Sequence, residues 1–408
     1  MRAVVCDLHV HIGAAGNGRP VKVTASRDLT FAHIAEECVR RKGVELVGVV
    51  DCASPAVQGD IEQLLACGEM VELAAGGLRY RGEVTVVLGA ELETVEAGGG
   101  ASHQVSYFGH LEQVRAYSRR LRRHVTNLEL SSQCCRLPAA ALLEMTLECG
   151  GLFVPAHCFT PHRSVYGHCV RRLHQMFTAE QAAQIPAVEL GLSADSSLAD
   201  RIEELRGKTF LSNSDAHSLP RIAREHNLLR VTEPSFQELR RALLRQQGRR
   251  VVANFGLDPR LGKYHRTRCD VCSWITTAAP PVRHCEHCGE LKVTMGVLDR
   301  ITEIADWPEP RPPRHRPPYQ HQVPLQFVPK VGAVTLNRLI NRFGSEMAVL
   351  HQASPEDLAL TIGGKVADLI IRAREGRLVL EPGGGGRYGR ALADVASTQM
   401  SLPGLTHE

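Results

Sequence analysis

Long apolar runs are absent from this chain: nothing in it approaches the roughly 20 consecutive apolar residues of a membrane-spanning helix, and the opening MRAVVCDLHV has neither the apolar core nor the cleavage site of a secretory signal. A soluble, cytoplasmic and nucleoid-associated protein with no membrane partner is expected. A Walker-type loop is also missing, the GGGG of the tail not being one, and no serine–histidine–acid arrangement is visible, which argues against nucleotide-driven motors and serine hydrolases. Aromatic residues are sparse at 5% and neither sign of charge dominates, the formal net value being +4, so composition neither demands nor forbids a nucleic-acid partner.

A chain of 408 residues is too long for one ordinary core, so two or three domains are expected. From residue 1 to about 256, apolar strand-like runs alternate with helix-like stretches, the pattern of βαβ units around a parallel sheet. Histidines and acids sit at the ends of these runs: Asp7, His9 and His11 in CDLHVH, Asp51 after VGVV, Glu91 in VVLGAELET, His103 ahead of VSYFGH, His157 in LFVPAHC, and Asp215 with His217 in SNSDAH. Two residues apart on a strand, His9 and His11 point to one face and can share a cation, and the same spacing sets Asp215 beside His217. A mixed nitrogen and oxygen shell suits zinc, manganese or iron, and a carboxylate such as Glu91 can bridge two ions; zinc, manganese or magnesium is the expected barrel cation. Any one of these histidines alone reads as a packed core residue; the set reads as a multinuclear metal site.

Farther along, RCDVC and CEHCG supply Cys269, Cys272, Cys285 and Cys288, two CxxC knuckles with the spacing of one structural zinc, a redox pair being the alternative. The other nine of the 13 cysteines are scattered and read as reduced thiols acting as small apolar side chains. The arginines at 115, 119, 120, 122 and 123 share one probable helix and read as a solvated face before a DNA contact. Prolines crowd WPEPRPPRHRPPYQHQVPLQFVP, which excludes helix and favours an extended, semi-rigid spacer.

The order of the histidine and acid motifs resembles the polymerase and histidinol phosphatase (PHP) superfamily of metal-dependent phosphoesterases. VVDCASP, PAHCFTPHRSVYG, ELGLSAD, SNSDAHSLPRIARE and DPRLGKYHRTRCDVC resemble its endonuclease Q family through nearly the whole chain. That resemblance implies an α/β fold, a distorted seven-stranded (β/α) barrel over 1–256 with metal ligands at the carboxyl ends of its strands. A four-cysteine zinc module over 257–298, a Pro-rich linker over 299–326, a tandem helix-hairpin-helix-like region over 327–380 and a Gly-rich flexible tail over 381–408 would follow.

It also implies that His9, His11, Glu91 and Asp215 hold one ion and that Glu91 bridges to a second held by His103 and His157. A third position would have only His217 and Asp51, giving two or three barrel cations, while Asp7 would orient a histidine from behind. In the C-terminal region Lys330 with Gly332, and Gly363 and Gly364 with Lys365, would bring backbone N–H groups to DNA phosphates. Lys263, Tyr264 and Arg266 would add basic and stacking groups.

The activity so implied is metal-assisted hydrolysis of DNA on the 5′ side of a deaminated base (uracil, hypoxanthine or xanthine) or an abasic site, in double- or single-stranded DNA. Phe159, Thr160, Arg163, Ser164, Tyr166, Ser193 and Arg221 would form the pocket for an extruded base. Two other readings stand beside it: a phosphatase or 3′ exonuclease of the same superfamily, for which the zinc module and helical region are superfluous, and a DNA-binding scaffold with an inactive metal site.

Overall fold

The structure, a computed structural model, describes residues 1–393; the disorder expected toward Glu408 lies outside the described residues. Its centre is a ten-stranded mixed sheet. β1 (Arg2–Val10), β2 (Leu46–Val49), the edge hairpin β3 (Met70–Glu72) and β4 (Leu78–Tyr80), β5 (Val84–Val95), β6 (Ala101–Phe108) and β7 (Leu152–Pro155) come first. β8 (Ala187–Glu189) and β9 (Thr209–Leu211) form a separate parallel pair, and β10 (His226–Val231) and β11 (Arg250–Gly256) return to the large sheet.

Parallel pairing links β1, β2 and β5, but β10 runs antiparallel beside β1, and β5, β6 and β7 are antiparallel neighbours. The expectation of a parallel sheet is thus met only in part. The glycine-rich turn 96–100 folds β5 straight back into β6, and so short a connection permits only antiparallel pairing. β8 packs beside β7, β9 beside β11, and Val10 bridges Ala216, so the strand ends surround one cavity.

Period-two alternation on β1 separates two faces. Val4, Cys6 and Leu8 pack into an apolar cluster with Val87, Tyr107, Val154 and the helix Phe236–Leu243. Asp7 and His9 point the other way and are still fully buried, so each needs a polar partner.

Beyond the sheet, Arg268–Cys269 pairs antiparallel with Val293–Thr294 to close the cysteine module. The Pro-rich stretch begins later than expected, because 297–304 is helical. It is also fastened down: Asp306 and Arg311 donate backbone N–H groups to the carbonyls of Arg201 and Asp200, and Arg316 makes a buried ion pair with Asp200 at 2.8 Å while lying over the Phe210 ring. Tyr319–His321 then adds a parallel edge strand to β11.

Four helices follow, Ala333–Phe343, Glu346–His351, Pro355–Ile362 and Gly364–Arg374. Before the first there is only a 3₁₀ turn, Leu325–Phe327. Finally Val379–Glu381 pairs with Arg390–Leu392, so the glycine-rich segment, expected to be flexible through 381–408, is a hairpin in its described part. Its backbone N–H groups at Gly383, Gly389 and Gly386 donate to the carbonyls of Arg260, Leu261 and Lys263.

Of the scattered cysteines, Cys67 and Cys134 are exposed, contrary to the apolar-core expectation, whereas Cys6, Cys38, Cys52, Cys135 and Cys158 are buried. The arginine-rich helix face spends Arg115, Arg119 and Arg120 on Glu62, Glu112 and Glu148. No helix among the described residues is long and apolar enough to cross a membrane.

Candidate metal centre and active-site cavity

Two donor groups meet at the strand ends. His9, His11 and Asp215 converge within 4.8 Å of one another, and so do Glu91, His103 and His157. Glu91 stands between them: its Oε1 lies 3.0 Å from His103 Nδ1 and 3.5 Å from both His157 Nε2 and His9 Nε2, while Oε2 is 3.5 Å from His11 Nε2.

The hydrogen bonds around the imidazoles test whether cations fit. His9 donates through Nδ1 to Glu189 at 2.8 Å, and His11 through Nδ1 to Asp51 at 3.1 Å. Each Nε2 is then a bare lone pair, yet the two Nε2 atoms face each other at 3.3 Å. Two acceptors so placed repel unless a cation lies between them. In the second group, Thr160 Oγ1 donates to main-chain carbonyls and so accepts from His157 Nδ1, which turns the lone pair of His157 Nε2 toward His103 Nδ1 at 3.3 Å. Imidazoles positioned by a partner on the far nitrogen, with lone pairs converging on a carboxylate, are the donor set of divalent metal ions.

Backbone conformation supports the same placement. His157 and Asp215 both have positive φ, +27° and +46°, an unfavourable region for side chains that is retained where surrounding structure imposes it. Gly191, at φ +77°, lies so close to His157 that a Cβ would come within 2.9 Å of the His157 Cβ.

Charge is concentrated here. Burial opposes ionisation of Glu91, but His103 and Lys22 hold its carboxyl well below the ordinary value. Asp215 is likewise held well below its usual range against burial, by His11 and His9. At His9, Glu189 and Glu91 favour positive charge against the opposing effect of burial, the charge that a cation at Nε2 would supply. His217 is pushed down to about 4, chiefly by burial.

Two expected ligands, Asp51 and His217, and the expected orienting acid, Asp7, take other places. Asp51 accepts from His11 Nδ1, from the Ile12 N–H at 2.6 Å and from Ser131, so it orients His11 from behind. His217 turns Nδ1 toward the Asp215 carbonyl at 3.0 Å and joins neither donor group, although it lines the cavity. Asp7 touches no imidazole; its carboxylate accepts from Ser214 Oγ at 2.6 Å and from the Ala223 N–H at 2.8 Å, tying β1 to the loop that carries Asp215.

Above the donors opens a cavity of about 510 Å³, lined by Thr160, Arg163, Ser193, Arg221, Lys263 and Tyr264 among the residues singled out from sequence. Phe159 and Tyr166 are buried and stack on each other at 5.4 Å, Ser164 caps the turn at Gly167, and none of the three lines the cavity. Arg266 turns away to pair with Asp299.

At the cysteine module, Cys269 Sγ lies 3.7 Å from Cys288 Sγ and Cys272 Sγ lies 3.6 Å from Cys285 Sγ, four sulfurs around one point. Backbone N–H groups of Cys272 and Val271 aim at Cys269 Sγ and help to draw its thiol down to about 7, toward the thiolate that zinc requires.

No protein-family model matches the chain. The uncharacterized protein YqxK of Bacillus subtilis (strain 168) is 44% identical over 392 residues, 96% of this chain and 99% of that one. MJ0043 of Methanocaldococcus jannaschii, also uncharacterized, is 35% identical over 254 residues, 57% of this chain and 31% of that one. The lesion-specific endonuclease PfuEndoQ from Pyrococcus furiosus superposes with a TM-score of 0.80 at 34% identity, over 96% of this chain and 95% of its own. The chain belongs to the endonuclease Q family. It is a metal-dependent DNA endonuclease. Endonuclease Q bound to a 27-mer duplex with an abasic lesion at the active site gives a TM-score of 0.81, again at 34% identity and 96% coverage of both chains.

Residues with little or no signal in the sequence also stand at the donor groups and the cavity. Glu189 lay in the ELGLSAD motif but carried no role, though it is the partner that fixes His9. Tyr388 sat in a segment read as flexible; the hairpin delivers it to the cavity, where Arg224 Nη1 is 3.2 Å from its hydroxyl and Lys263 Nζ is 5.7 Å from its ring centre. Lys22 and Arg224 also line the cavity. A lone lysine or arginine in a loop gives no signal in sequence; only the ELG run after an apolar stretch could have pointed to Glu189.

Proposed function

We propose that this endonuclease cleaves the DNA backbone on the 5′ side of a deaminated base, uracil, hypoxanthine or xanthine, or of an abasic site. The observation that carries the reading is the cavity, with paired donor groups sharing Glu91 at its floor and a cationic and aromatic rim at its mouth. Divalent ions, proposed as two and as zinc, manganese or magnesium, would lower the pKa of a water and neutralise charge on the phosphodiester. The chain's own groups orient and enclose. Glu189 and Asp51 keep the Nε2 lone pairs of His9 and His11 aimed inward, and Thr160 does the same for His157.

At the mouth, Tyr264 and Tyr388 offer ring faces on either side of Lys263, whose ammonium is 5.1 Å from the Tyr264 centroid and 5.7 Å from that of Tyr388. An extruded base, or the sugar left where a base is missing, fits such a rim, and damaged pairs are the least costly to open. Arg221 and Arg224 line the same cavity and supply charge for the flanking phosphates.

We assign duplex holding to the zinc module and the helical region. The turns at Gly332 and Gly363–Gly364, with Lys330 and Lys365 beside them, are exposed at helix starts, where N–H groups are free for phosphate. Three working parts are therefore proposed, with the chemistry in 1–256, a zinc-stapled module in 257–298 and the helices of 327–380 joined through 299–326.

The test is a denaturing-gel assay on end-labelled duplexes bearing uracil, hypoxanthine, an abasic site or no lesion, with magnesium or manganese. A single nick 5′ of the lesion, absent on intact DNA and lost in Asp215→Asn, is the expected result. Ladders shortened from one end would instead identify an exonuclease, and binding without cleavage a scaffold.

A further inference from the structure

One buried cation inside the metal centre has no place in the roles assigned above. Lys22 reaches between the acids with its side chain only 14% exposed, its Nζ 3.3 Å from Glu91 Oε2 and in contact with Ser132 Oγ. Ser132 Oγ in turn donates to the same Glu91 oxygen.

The lysine is not a loosely placed surface side chain. Its N–H donates to the Ile12 carbonyl at 2.8 Å, the Val21 N–H donates to Gly13 at 3.0 Å, and the Val21 carbonyl accepts from Ser131 at 2.9 Å, so the backbone is held on both sides immediately after His11. Glu91 is thereby divided: Oε1 serves His103, His157 and His9, while Oε2 faces Lys22, Ser132 and His11. Lys22 also lines the cavity, beside Thr24, Asp215 and His217.

A fixed ammonium among metal ligands has two physical consequences. It repels any divalent ion bound nearby, and it offers the cavity a positive charge that does not depend on metal. We propose that Lys22 is a resident cation of the centre: it sets Glu91, weakens the hold on the neighbouring ions, and faces the negative charge of the phosphodiester. The last role rests on the nuclease reading; the first two do not.

The distinguishing signature is opposite movement of two quantities, because loss of a merely structural residue would loosen the ions and slow the reaction together. Full-length wild type, Lys22→Met and Lys22→Arg are titrated with zinc and with manganese(II) against a fluorescent chelator, and single-turnover cleavage of an abasic duplex is followed at saturating metal. In Lys22→Met the more weakly held ion should bind at least roughly tenfold tighter, the direction set by removing a like charge from the neighbourhood of a divalent ion. Cleavage by the same variant should fall roughly 100-fold, as on loss of one electrostatic stabiliser.

Lys22→Arg, which keeps the charge, should return the ion affinity to the wild-type value. Unchanged or weaker ion binding in Lys22→Met overturns the proposal. Lys22→Gln, which keeps a hydrogen bond without the charge, carries the same comparison should the methionine variant fail to fold. Absence of cleavage by wild type on every duplex would sink the nuclease reading alone, because the metal titration stands without DNA.

Discussion

Two candidate metal sites in one chain are built on opposite principles. The cysteine module draws its four sulfurs from residues 269 to 288, on two local knuckles whose backbone N–H groups already point at sulfur, and it has little apolar interior: Val271, Trp274, Ile275 and Leu291 are exposed. The histidine and carboxylate centre draws from residues 9 to 215, and each of His9, His11 and His157 is held by a protein partner on the nitrogen that faces away from the donor cluster. A local site with no core must take its stability from the ion, whereas a site at the ends of a packed sheet exists before the ion arrives. The first should fold and unfold with metal; the second should fill and empty with its geometry unchanged.

The sharpest break of that comparison is Cys272→Ser. Structural zinc of this kind contributes on the order of 10 kcal/mol, so the variant should lose one zinc per chain and become open to proteolysis within 265–295. The large sheet should melt near the wild-type temperature. Equal loss of both sites would mean that the module and the sheet fold as one unit.

Asp215→Asn should do the converse. Cleavage should fall about 10³-fold or more, the scale of several kcal/mol of lost charge stabilisation, while zinc in the cysteine module stays at one per chain by elemental analysis. Glu189→Gln tests whether the fixed imidazole matters: the histidine centre should bind its ions about 10–100-fold more weakly, measured by dialysis against graded chelator, with the module unaffected.

The smallest effect concerns a carboxylic acid buried on the sheet side alone. Glu225 accepts from the Leu257 N–H at 2.8 Å, and burial raises its pKa from 4.5 to about 8. A folded-state pKa above the unfolded one gives stability that is full below about 4.5 and lost as pH rises through about 8. Thermal melts should therefore decline from pH 5 to 8 in wild type, and Glu225→Gln, which stays neutral, should flatten that decline by a few degrees. An unchanged slope would show that Glu225 is not the group responsible.

The same local-against-distant division governs how much could be read in the chain. The CxxC pairs and the HxH pair were legible because short spacing on a knuckle or a strand dictates which way side chains point, and the strand ends were legible from apolar runs that stop at an acid or a histidine. The partners of those ligands were not. Asp51 looks like a ligand in sequence and Asp7 like the support of a histidine, yet Asp51 ends behind His11 and Asp7 against Ser214, because their roles depend on which loop packs across each strand end.

Glycine content misled at the tail. A run of glycines has no conformational preference of its own, but Gly383, Gly386 and Gly389 find carbonyl partners on residues 260–263 and become a hairpin that presents Tyr388. Proline content was a better guide, since it excluded helix over most of its span, but it could not show that Arg316 would be anchored on Asp200.

By itself, then, the sequence determined the donor types, the placing of His9, His11, Glu91, His103, His157 and Asp215 on or beside apolar strand runs, and a pair of CxxC knuckles, all set by periodicity and short-range spacing. Only the tertiary structure decided which acids join the donor groups and which stand behind a histidine, that β5 and β6 run antiparallel, and that Lys22 stands beside Glu91. The reason is physical: a side chain's direction follows from its own strand, but its partner follows from long-range packing that brings together residues with no sequence relation to one another.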